Sequence, residues 1–344
     1  MISSSMIMRV VILVSIFHAV AMFVYSYPSR MARTDTERDL VAYYLLVERM
    51  NSGHDIYAGV YERGPHSAKY AVYQYPPVLS SVLHLLPEMS FETFARLWTT
   101  MLYLCFWIYA ACLAKITFRH FTFVGLMIVG LFLTLFPGTH MALSLGQIDP
   151  LLWALMGISL ISTSARSGVL VLISLIKPWA LFPLLFVLHE ERRSFVTASM
   201  VAGFFLLLGV FTRGLNVYFN EWSFWFAYIL PSLGQGSWSA DNWSVSFVLL
   251  RILDLFSFFG DRDGVLPLWA RIWLLFCGVA VPLIVGFYML KKNIMLKIAV
   301  VGSCAVVLSP LCWITYLPAI LTVMALFARD YFLKLRVDCN LYRI

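Results

Sequence analysis

The stretch that decides the fold is Val169-Leu-Val-Leu-Ile-Ser-Leu-Ile-Lys177-Pro178-Trp-Ala-Leu-Phe-Pro-Leu-Leu-Phe-Val-Leu188. It consists of two apolar runs that meet at a lysine and a proline. A helix that crosses a bilayer needs about 20 apolar residues, so neither run is long enough to cross comfortably alone. The pattern predicts two half helices that rise and return, with Lys177-Pro178 at their apex. Such segments are tolerated at membrane depth where they line a protein cavity.

The composition of the whole chain indicates a polytopic membrane protein. It is 61% hydrophobic and 12% charged, with a mean hydropathy of +0.83, whereas a soluble domain carries roughly 25% charged residues. No polar stretch is long enough to bury a core of its own, so we expect a single transmembrane domain over residues 1–344. The net charge of +7 is scattered over the ends of apolar runs. Without a basic patch interleaved with aromatic residues, the charge does not indicate nucleic acid as a partner.

Seven longer apolar runs are candidate spans. They are Met6–Tyr27, Thr93–Ile116, Phe121–Pro137, Phe195–Phe211, Leu268–Leu290, Ile294–Leu308 and Trp313–Phe327. Shorter runs, better interpreted as re-entrant, juxtamembrane or half helices, lie at Pro77–Leu86, Leu151–Ser162, Val169–Ile176, Trp179–Leu188 and Val245–Phe259. We therefore predict an all-α integral membrane protein with about 8–10 membrane helices, and with re-entrant or juxtamembrane helices on its outer face.

Short basic loops set the predicted orientation. Lys115, Arg166, Arg192 and Lys291 belong to loops that would face the cytoplasm under the positive-inside rule. The N-terminus is then inside, and the loops at 28–75 and 213–244 are outside. We expect the first of these loops to carry catalysis and the second to contact substrate.

Asp39 lies in the first outer loop, on a segment that can fold as an amphipathic helix. Thr36 could cap a helix from Glu37 to Met50, and Gly53 could end it. The residues that would share a face with the acid recur at three- and four-residue spacing; they are Tyr43, Leu46, Val47 and Met50. The pattern predicts a helix at the membrane surface with an acid on or near its apolar side. Asp39 is either a catalytic acid or an ordinary charge favoured at a helix N-terminus.

Two further candidates follow from ionisable or polar groups beside apolar runs. Lys177 is a functional candidate because a charge inside a membrane is costly, and a lysine there suits a lipid-linked phosphate; the alternative is that it snorkels to the surface. In the segment from Gly146, Gln147 and Asp149 could bind sugar hydroxyls. Asp149 before Pro150 is also a good helix cap, and the spacing by itself favours the cap.

Two outer segments carry aromatic and polar residues of the kind that bind sugars. Trp238 and Asn242 lie in the polar loop before Ser244, where an indole could stack on a pyranose ring. The alternative is an ordinary loop with interfacial tryptophans. The break at Ser309-Pro310-Leu-Cys-Trp313 is either part of a site or a tight turn.

Five ordered blocks together resemble glycosyltransferase family 87, within the GT-C superfamily of membrane glycosyltransferases. The blocks are Asp39-x3-Tyr43-Tyr44-x8-Gly53-x3-Tyr57; Tyr75-Pro76-Pro77-x9-Pro87; Gly146-Gln147-Ile148-Asp149-x-Leu151-Leu152; Ile176-Lys177-Pro178; and Asn242-x-Ser244 with Ser309-Pro310-Leu311-x-Trp313. The resemblance spans roughly residues 35–320. It implies a GT-C-type bundle.

The resemblance also implies a reaction. Family members move a sugar, typically mannose, from a polyprenyl-phosphate donor to an acceptor, commonly a glycolipid or glycan, on the non-cytoplasmic side of the plasma membrane. The proposed base matches Asp39. Tyr43, Tyr75 and Trp313 fall in the blocks that would contact substrate, and Thr315, two residues after the last block, would contact it too. Family members usually have asparagine at the position of Asp149 and a histidine near Thr315, so this chain departs from the pattern twice. The scheme needs no cofactor or metal, because the leaving group is a lipid monophosphate and Lys177 is available.

A transporter or flippase for a lipid-linked saccharide is the leading alternative. It would use the same lysine and outer cavity without making a bond. Transporters tend to carry inverted repeats and acids near the midplane, whereas this sequence shows no visible repeat and its acids lie outside the apolar runs. A structural membrane subunit is a third interpretation, and it leaves Lys177 without a role.

Overall fold

The structure is a computed structural model. It describes residues 39–57, 73–119, 122–230, 268–309 and 321–341, together with positions 13, 20, 250, 252, 318 and 320, with the backbone alone at 192, 268 and 332–341. Regular structure within these ranges is helical, and no strand occurs there. The predicted all-α class is confirmed.

The helices are numbered here in chain order. They are α1 (Asp39–Asn51), α2 (Pro77–Leu83), α3 (Phe91–Phe118), α4 (Phe123–Leu135), α5 (Pro137–Leu145), α6 (Asp149–Ile161), α7 (Arg166–Ile176), α8 (Leu181–Glu190), α9 (Arg192–Arg213), α10 (Leu215–Phe224), α11 (Leu268–Leu275), α12 (Val281–Tyr288), α13 (Ile294–Leu308) and α14 (Leu321–Leu341). A 3₁₀ turn at Pro178–Ala180 precedes α8, and π-helical turns at Trp225–Ile229 and Phe276–Ala280 continue α10 and α11.

Three helices of the described chain are long and apolar enough to cross a membrane. They span Phe91–Phe118, Arg193–Arg213 and Trp269–Tyr288, and each overlaps a predicted span. Shorter apolar helices cover Asp149–Ile161, Arg166–Ile176, Pro178–Glu190 and Ile294–Leu308. The number of crossings stays a prediction, because most of Met6–Tyr27, Val245–Phe259 and the start of Trp313–Phe327 lies outside the described residues. The last of these runs contributes to α14, which continues well beyond Phe327.

The predicted span Phe121–Pro137 differs from the structure. Helix α4 ends at Leu135, and α5 departs from it at an angle of 78°. Pro137 causes the break, because the residue before a proline is pushed out of the helical region, and Phe136 is extended with φ −80° and ψ 121°. The pair makes one broken span or a re-entrant turn.

The predicted apex at Lys177-Pro178 is confirmed. Helix α7 ends at Ile176, and Lys177 is extended with φ −135° and ψ 115°, as the proline after it requires. The chain then turns through the 3₁₀ segment into α8, which packs back against α7. Lys177 therefore lies between two short helices, inside the protein.

Helix α1 presents the predicted apolar face to the protein interior. Tyr43, Leu46, Val47 and Met50 are all buried, while Glu48 is exposed. The face packs on α2 and α3, so this part of the helix is covered by protein. The predicted start at Thr36 lies outside the described residues. The predicted end at Gly53 agrees with the structure, since Gly53 has a φ of +72° and donates its N–H to the Met50 carbonyl at 3.1 Å.

Candidate active site

A buried ion pair lies at the centre of the candidate site. Lys177 Nζ donates to Asp149 Oδ1 at 2.6 Å, with the lysine 7% and the aspartate 2% exposed. The pair joins the apex of the half helices to the first residue of α6. A charge at this depth requires such a partner. Lys177 therefore does not snorkel to the surface.

The predicted helix cap at Asp149 is wrong. Helix α6 begins at Asp149 itself, Ile148 occupies the cap position, and no side-chain hydrogen bond caps the helix. Pro150 does lie in the first turn, as predicted. The carboxylate binds Lys177 instead, because a full positive charge stabilises a buried carboxylate more than one backbone N–H does.

Asp39 joins this pair from α1. The pKa of its carboxyl group is raised to about 6. Burial is the largest cause; the Lys177 ammonium and a hydrogen bond from Gln147 lower the pKa, while the Asp149 carboxylate adds to the rise. Lys177 thus forms an ion pair with Asp149 and also interacts electrostatically with Asp39. A carboxylate that is desolvated in this way is a stronger base than one in water.

Gly146 explains how α1 comes so close to the turn that carries Gln147 and Asp149. Its φ is +69°, and a Cβ built on it would lie 2.8 Å from the Leu40 Cβ. Only glycine combines this backbone conformation with such a close approach. Because Leu40 follows Asp39 directly, the turn fixes the distance between the two acids.

Tyr43 and Tyr75 form an aromatic wall beside the acids. The Tyr75 ring centroid lies 5.6 Å from Lys177 Nζ and 5.7 Å from the Tyr43 ring. Tyr43 also contacts Trp98 of α3 at 4.7 Å, and Trp98 Nε1 donates to the Gly146 carbonyl at 2.8 Å. Sequence reasoning missed Trp98, because a tryptophan at the end of an apolar span looks like an interfacial anchor.

The segment before α2 is held in place by three hydrogen bonds from other aromatic residues. Tyr57 Oη donates to the Tyr75 carbonyl at 2.9 Å, Tyr73 Oη to the Pro76 carbonyl at 2.8 Å, and Trp225 Nε1 to the Gln74 carbonyl at 3.1 Å. These bonds tie the end of the 28–75 segment to the π-helical continuation of α10. They fix the position of the Tyr75 ring.

The site retains unused hydrogen-bonding capacity. The Tyr43 hydroxyl and Gln147 Oε1 are buried and form no hydrogen bond within the described part of the protein. Buried polar atoms are normally paired, so orphaned ones mark a place that a ligand or water completes. A hydroxyl donor and an amide acceptor next to a lysine suit a ligand with sugar and phosphate groups.

The structure brings together six of the ten predicted site residues. They are Asp39, Tyr43, Tyr75, Gln147, Asp149 and Lys177. The other four, Trp238, Asn242, Trp313 and Thr315, lie outside the described residues. Their roles stay predictions.

The helical membrane architecture and the buried acid–lysine cluster define an all-α membrane protein with a polar site between its helices. The model of glycosyltransferase family 87 matches residues 73–310, which is more than half of the chain. This chain belongs to glycosyltransferase family 87 and is a membrane glycosyltransferase. Comparisons with curated proteins and with solved structures gave no significant match.

The family match includes Tyr75, Gln147, Asp149 and Lys177 and begins after Asp39. The connection of Asp39 to the matched region therefore rests on the structure. Its carboxylate interacts with Gln147, Asp149 and Lys177.

Proposed function

We propose that this protein transfers a hexose, with mannose as the first candidate, from a polyprenyl-phosphate sugar to a glycolipid or glycan acceptor. The reaction would take place at the non-cytoplasmic face of the plasma membrane. The observation that carries the proposal is the meeting of a raised-pKa carboxylate, Asp39, with a buried lysine, Lys177, in one site. The first is equipped to accept a proton and the second to hold a phosphate.

The proposed step is a direct displacement. The acceptor hydroxyl attacks the anomeric carbon and gives its proton to the Asp39 carboxylate. The bond from that carbon to the phosphate oxygen breaks, and its electron pair leaves with the polyprenyl phosphate. Attack and departure on opposite faces invert the anomeric centre. Lys177 stabilises the negative charge that grows on the leaving phosphate.

Asp149 gives Lys177 a partner while the phosphate is absent. A lone buried ammonium would be costly. An incoming phosphate competes with Asp149 for the lysine, and this competition is particular to a chain that has an acid where its family usually has asparagine. Gln147 and the wall of Tyr43 and Tyr75 would orient the sugar, as would Trp238 and Asn242 of the second outer loop.

The test is transfer of label from polyprenyl-phosphate-[¹⁴C]mannose to a lipid extract of the source organism, in nanodiscs, for wild type and Asp39→Asn. We expect a new labelled product from the wild type, and a loss of about a hundred- to ten-thousand-fold in the variant. Asp39→Asn should bind the donor, and it should melt no earlier than the wild type at pH 7. The reason is that the substitution removes a buried charge whose shifted pKa corresponds to a cost on the order of 3 kcal/mol.

Two results would contradict the proposal. Full activity in Asp39→Asn would show that Asp39 is not the catalytic base. Bound donor without any labelled product, with several hexose donors tried, would favour a carrier of lipid-linked saccharides. Asp330→Asn serves as the matched control, because that acid is exposed and its ion pair is with the adjacent Arg329.

A further inference from the structure

A second buried ion pair lies where α9 meets α10. Arg213 donates from Nε and from Nη2 to one oxygen of Glu221, Oε1, at 3.0 and 2.7 Å. Both side chains are buried, at 7% and 5% exposure. The pair is neutral as a whole. Because the guanidinium uses Oε1 twice, Oε2 is left for another partner.

Three buried polar atoms beside this pair make no hydrogen bond of normal geometry within the described structure, although the Tyr218 hydroxyl lies close enough to Trp222 and Ser81 to interact with both. They are Glu221 Oε2, the Tyr218 hydroxyl and Trp222 Nε1. Tyr218 is 1% exposed. The three side chains stand at positions i, i+3 and i+4 of α10 and share one face of the helix. Such atoms are rare inside proteins unless something pairs with them.

The three atoms offer complementary hydrogen-bonding chemistry. The carboxylate oxygen accepts, the indole N–H donates, and the phenol hydroxyl can do either. A cation is disfavoured by the indole N–H and by Arg213, and an anion by Glu221. An uncharged molecule with several hydroxyl groups matches the set, because a hydroxyl both donates and accepts.

An aromatic row connects this cluster to the candidate active site. Tyr57 and Tyr73 stand 5.8 Å apart, and Tyr73 and Tyr75 stand 5.9 Å apart. Burial is the largest cause of the raised pKa of both Tyr57 and Tyr73, and the Glu221 carboxylate contributes to both. The Tyr57 ring also lies 5.3 Å from the ring of Phe224. Helix α10, which carries Glu221, therefore lies at one end of the row, while Lys177, 5.6 Å from the Tyr75 ring, lies at the other.

We infer that Glu221, Tyr218 and Trp222 form a second sugar subsite, which holds an uncharged hexose unit of the acceptor while the donor occupies the site at Lys177. This inference rests on the proposed function. The subsite lies outside the reacting centre, so it binds and positions the acceptor without touching the transferred atoms. The π-helical turn that follows α10 at Trp225–Ile229 agrees with it, since such turns are frequent at functional sites.

The test is direct binding, which does not depend on turnover. Methyl α-D-mannopyranoside, methyl α-D-glucopyranoside and methyl α-D-galactopyranoside are titrated against the full chain in nanodiscs, with saturation-transfer NMR as the readout. Tyr218→Phe and Trp222→Phe each remove one unpaired polar group and keep an aromatic ring. At least one of the three glycosides should bind the wild type saturably, and each variant should weaken that binding about fivefold or more. Asp39→Asn should bind it as the wild type does.

Tyr109→Phe is the matched control. Tyr109 is also a buried tyrosine, but its hydroxyl donates to the Pro318 carbonyl at 2.6 Å. The control should lower the melting temperature and leave glycoside binding unchanged. Tyr218→Phe should weaken glycoside binding and lower the melting temperature less than Tyr109→Phe does, because the Tyr218 hydroxyl makes no hydrogen bond of normal geometry within the described structure.

Three outcomes would overturn the inference. The first is no saturable binding of any glycoside, which would mean that water completes the cluster. The second is equal binding by wild type, Tyr218→Phe and Trp222→Phe. The third is binding that only Asp39→Asn disturbs, which would put the sugar at the donor site. If transfer fails in every assay while glycoside binding depends on Tyr218 and Trp222, the proposed function falls and the subsite stands.

Discussion

The two ends of helix α7 carry buried cations with opposite surroundings. At the first end, Arg166 donates from Nε to the Ser159 carbonyl at 3.0 Å and from Nη1 to Glu191 Oε1 at 2.7 Å. The other oxygen of Glu191 accepts from Ser194 at 2.8 Å. Beyond the last residue of α7, Lys177 pairs with Asp149 and interacts electrostatically with Asp39. Near it, Tyr43 and Gln147 carry buried polar atoms that make no hydrogen bond of normal geometry within the described structure.

The difference separates a structural network from a candidate catalytic one. The Arg166 network is closed, and it ties α6, α7 and the start of α9 together. The Lys177 network has excess negative charge and polar atoms without hydrogen bonds. Both features lower the stability of the protein without ligand, and a ligand that pairs with these groups would restore that stability. The predictions below test this contrast.

The largest effect should come from removing the two cations in turn. Lys177→Met should reduce transfer about a hundred- to a thousand-fold and lower stability by about 3–5 kcal/mol, because Asp149 is left as an uncompensated buried charge. Arg166→Met should change transfer by less than about threefold while lowering the melting temperature, since a lost structural network is a stability effect. Initial rates and thermal melts of the purified variants in nanodiscs measure both.

The double variant Lys177→Met with Asp149→Leu makes this prediction sharper. It should recover most of the lost stability and none of the lost activity, because replacing a buried pair with apolar residues is often close to neutral. Recovery of activity along with stability would show that Lys177 acts only as a structural group.

The next effect concerns the spacing of the two acids. Gly146→Ala puts a methyl group 2.8 Å from Leu40 Cβ on a backbone with a φ of +69°. We expect α1 to shift, with transfer falling about ten- to a hundred-fold, because a small misplacement of a catalytic group is costly. Gly203→Ala is the control, since a Cβ there meets nothing within 4 Å. Equal activity of the two variants would contradict the role given to the turn.

The pH dependence of transfer should report Asp39. Below the raised pKa of about 6 the carboxyl group is protonated and cannot accept the acceptor proton. The value of kcat/KM should therefore fall about tenfold per pH unit below 6 and level off above it. A profile that stays flat down to pH 4, where an ordinary aspartate begins to protonate, would place the base elsewhere.

The smallest effect should come from Asp149→Asn, which introduces the residue that the resemblance implies for this position. Lys177 loses its competing partner, so the KM for the donor should fall a few-fold, and the same change should move the pH midpoint of kcat/KM downward, because Asp149 helps to raise the pKa of Asp39. Without donor the variant should melt earlier, because the buried lysine loses the carboxylate to which it is hydrogen-bonded. An unchanged donor KM would show that Asp149 and the phosphate do not compete.

Much of the local structure was predictable from sequence. The apolar face of α1, the apex at Lys177-Pro178 and the bounds Ile294–Leu308 all follow from periodicity, proline chemistry and run length. The break at Phe136 was missed, although Pro137 was visible, because an unbroken apolar run hides a change in direction.

The sequence by itself determined that this is a helical membrane protein, and it singled out Asp39, Gln147, Asp149 and Lys177, because polar groups beside apolar runs are expensive. Only the tertiary structure decided which of them meet. The partner of Lys177 is 28 residues away, Asp39 comes from another helix, and the Arg213–Glu221 cluster gave no local signal. Pairing, burial and the resulting pKa depend on distances through space, which spacing along the chain does not encode.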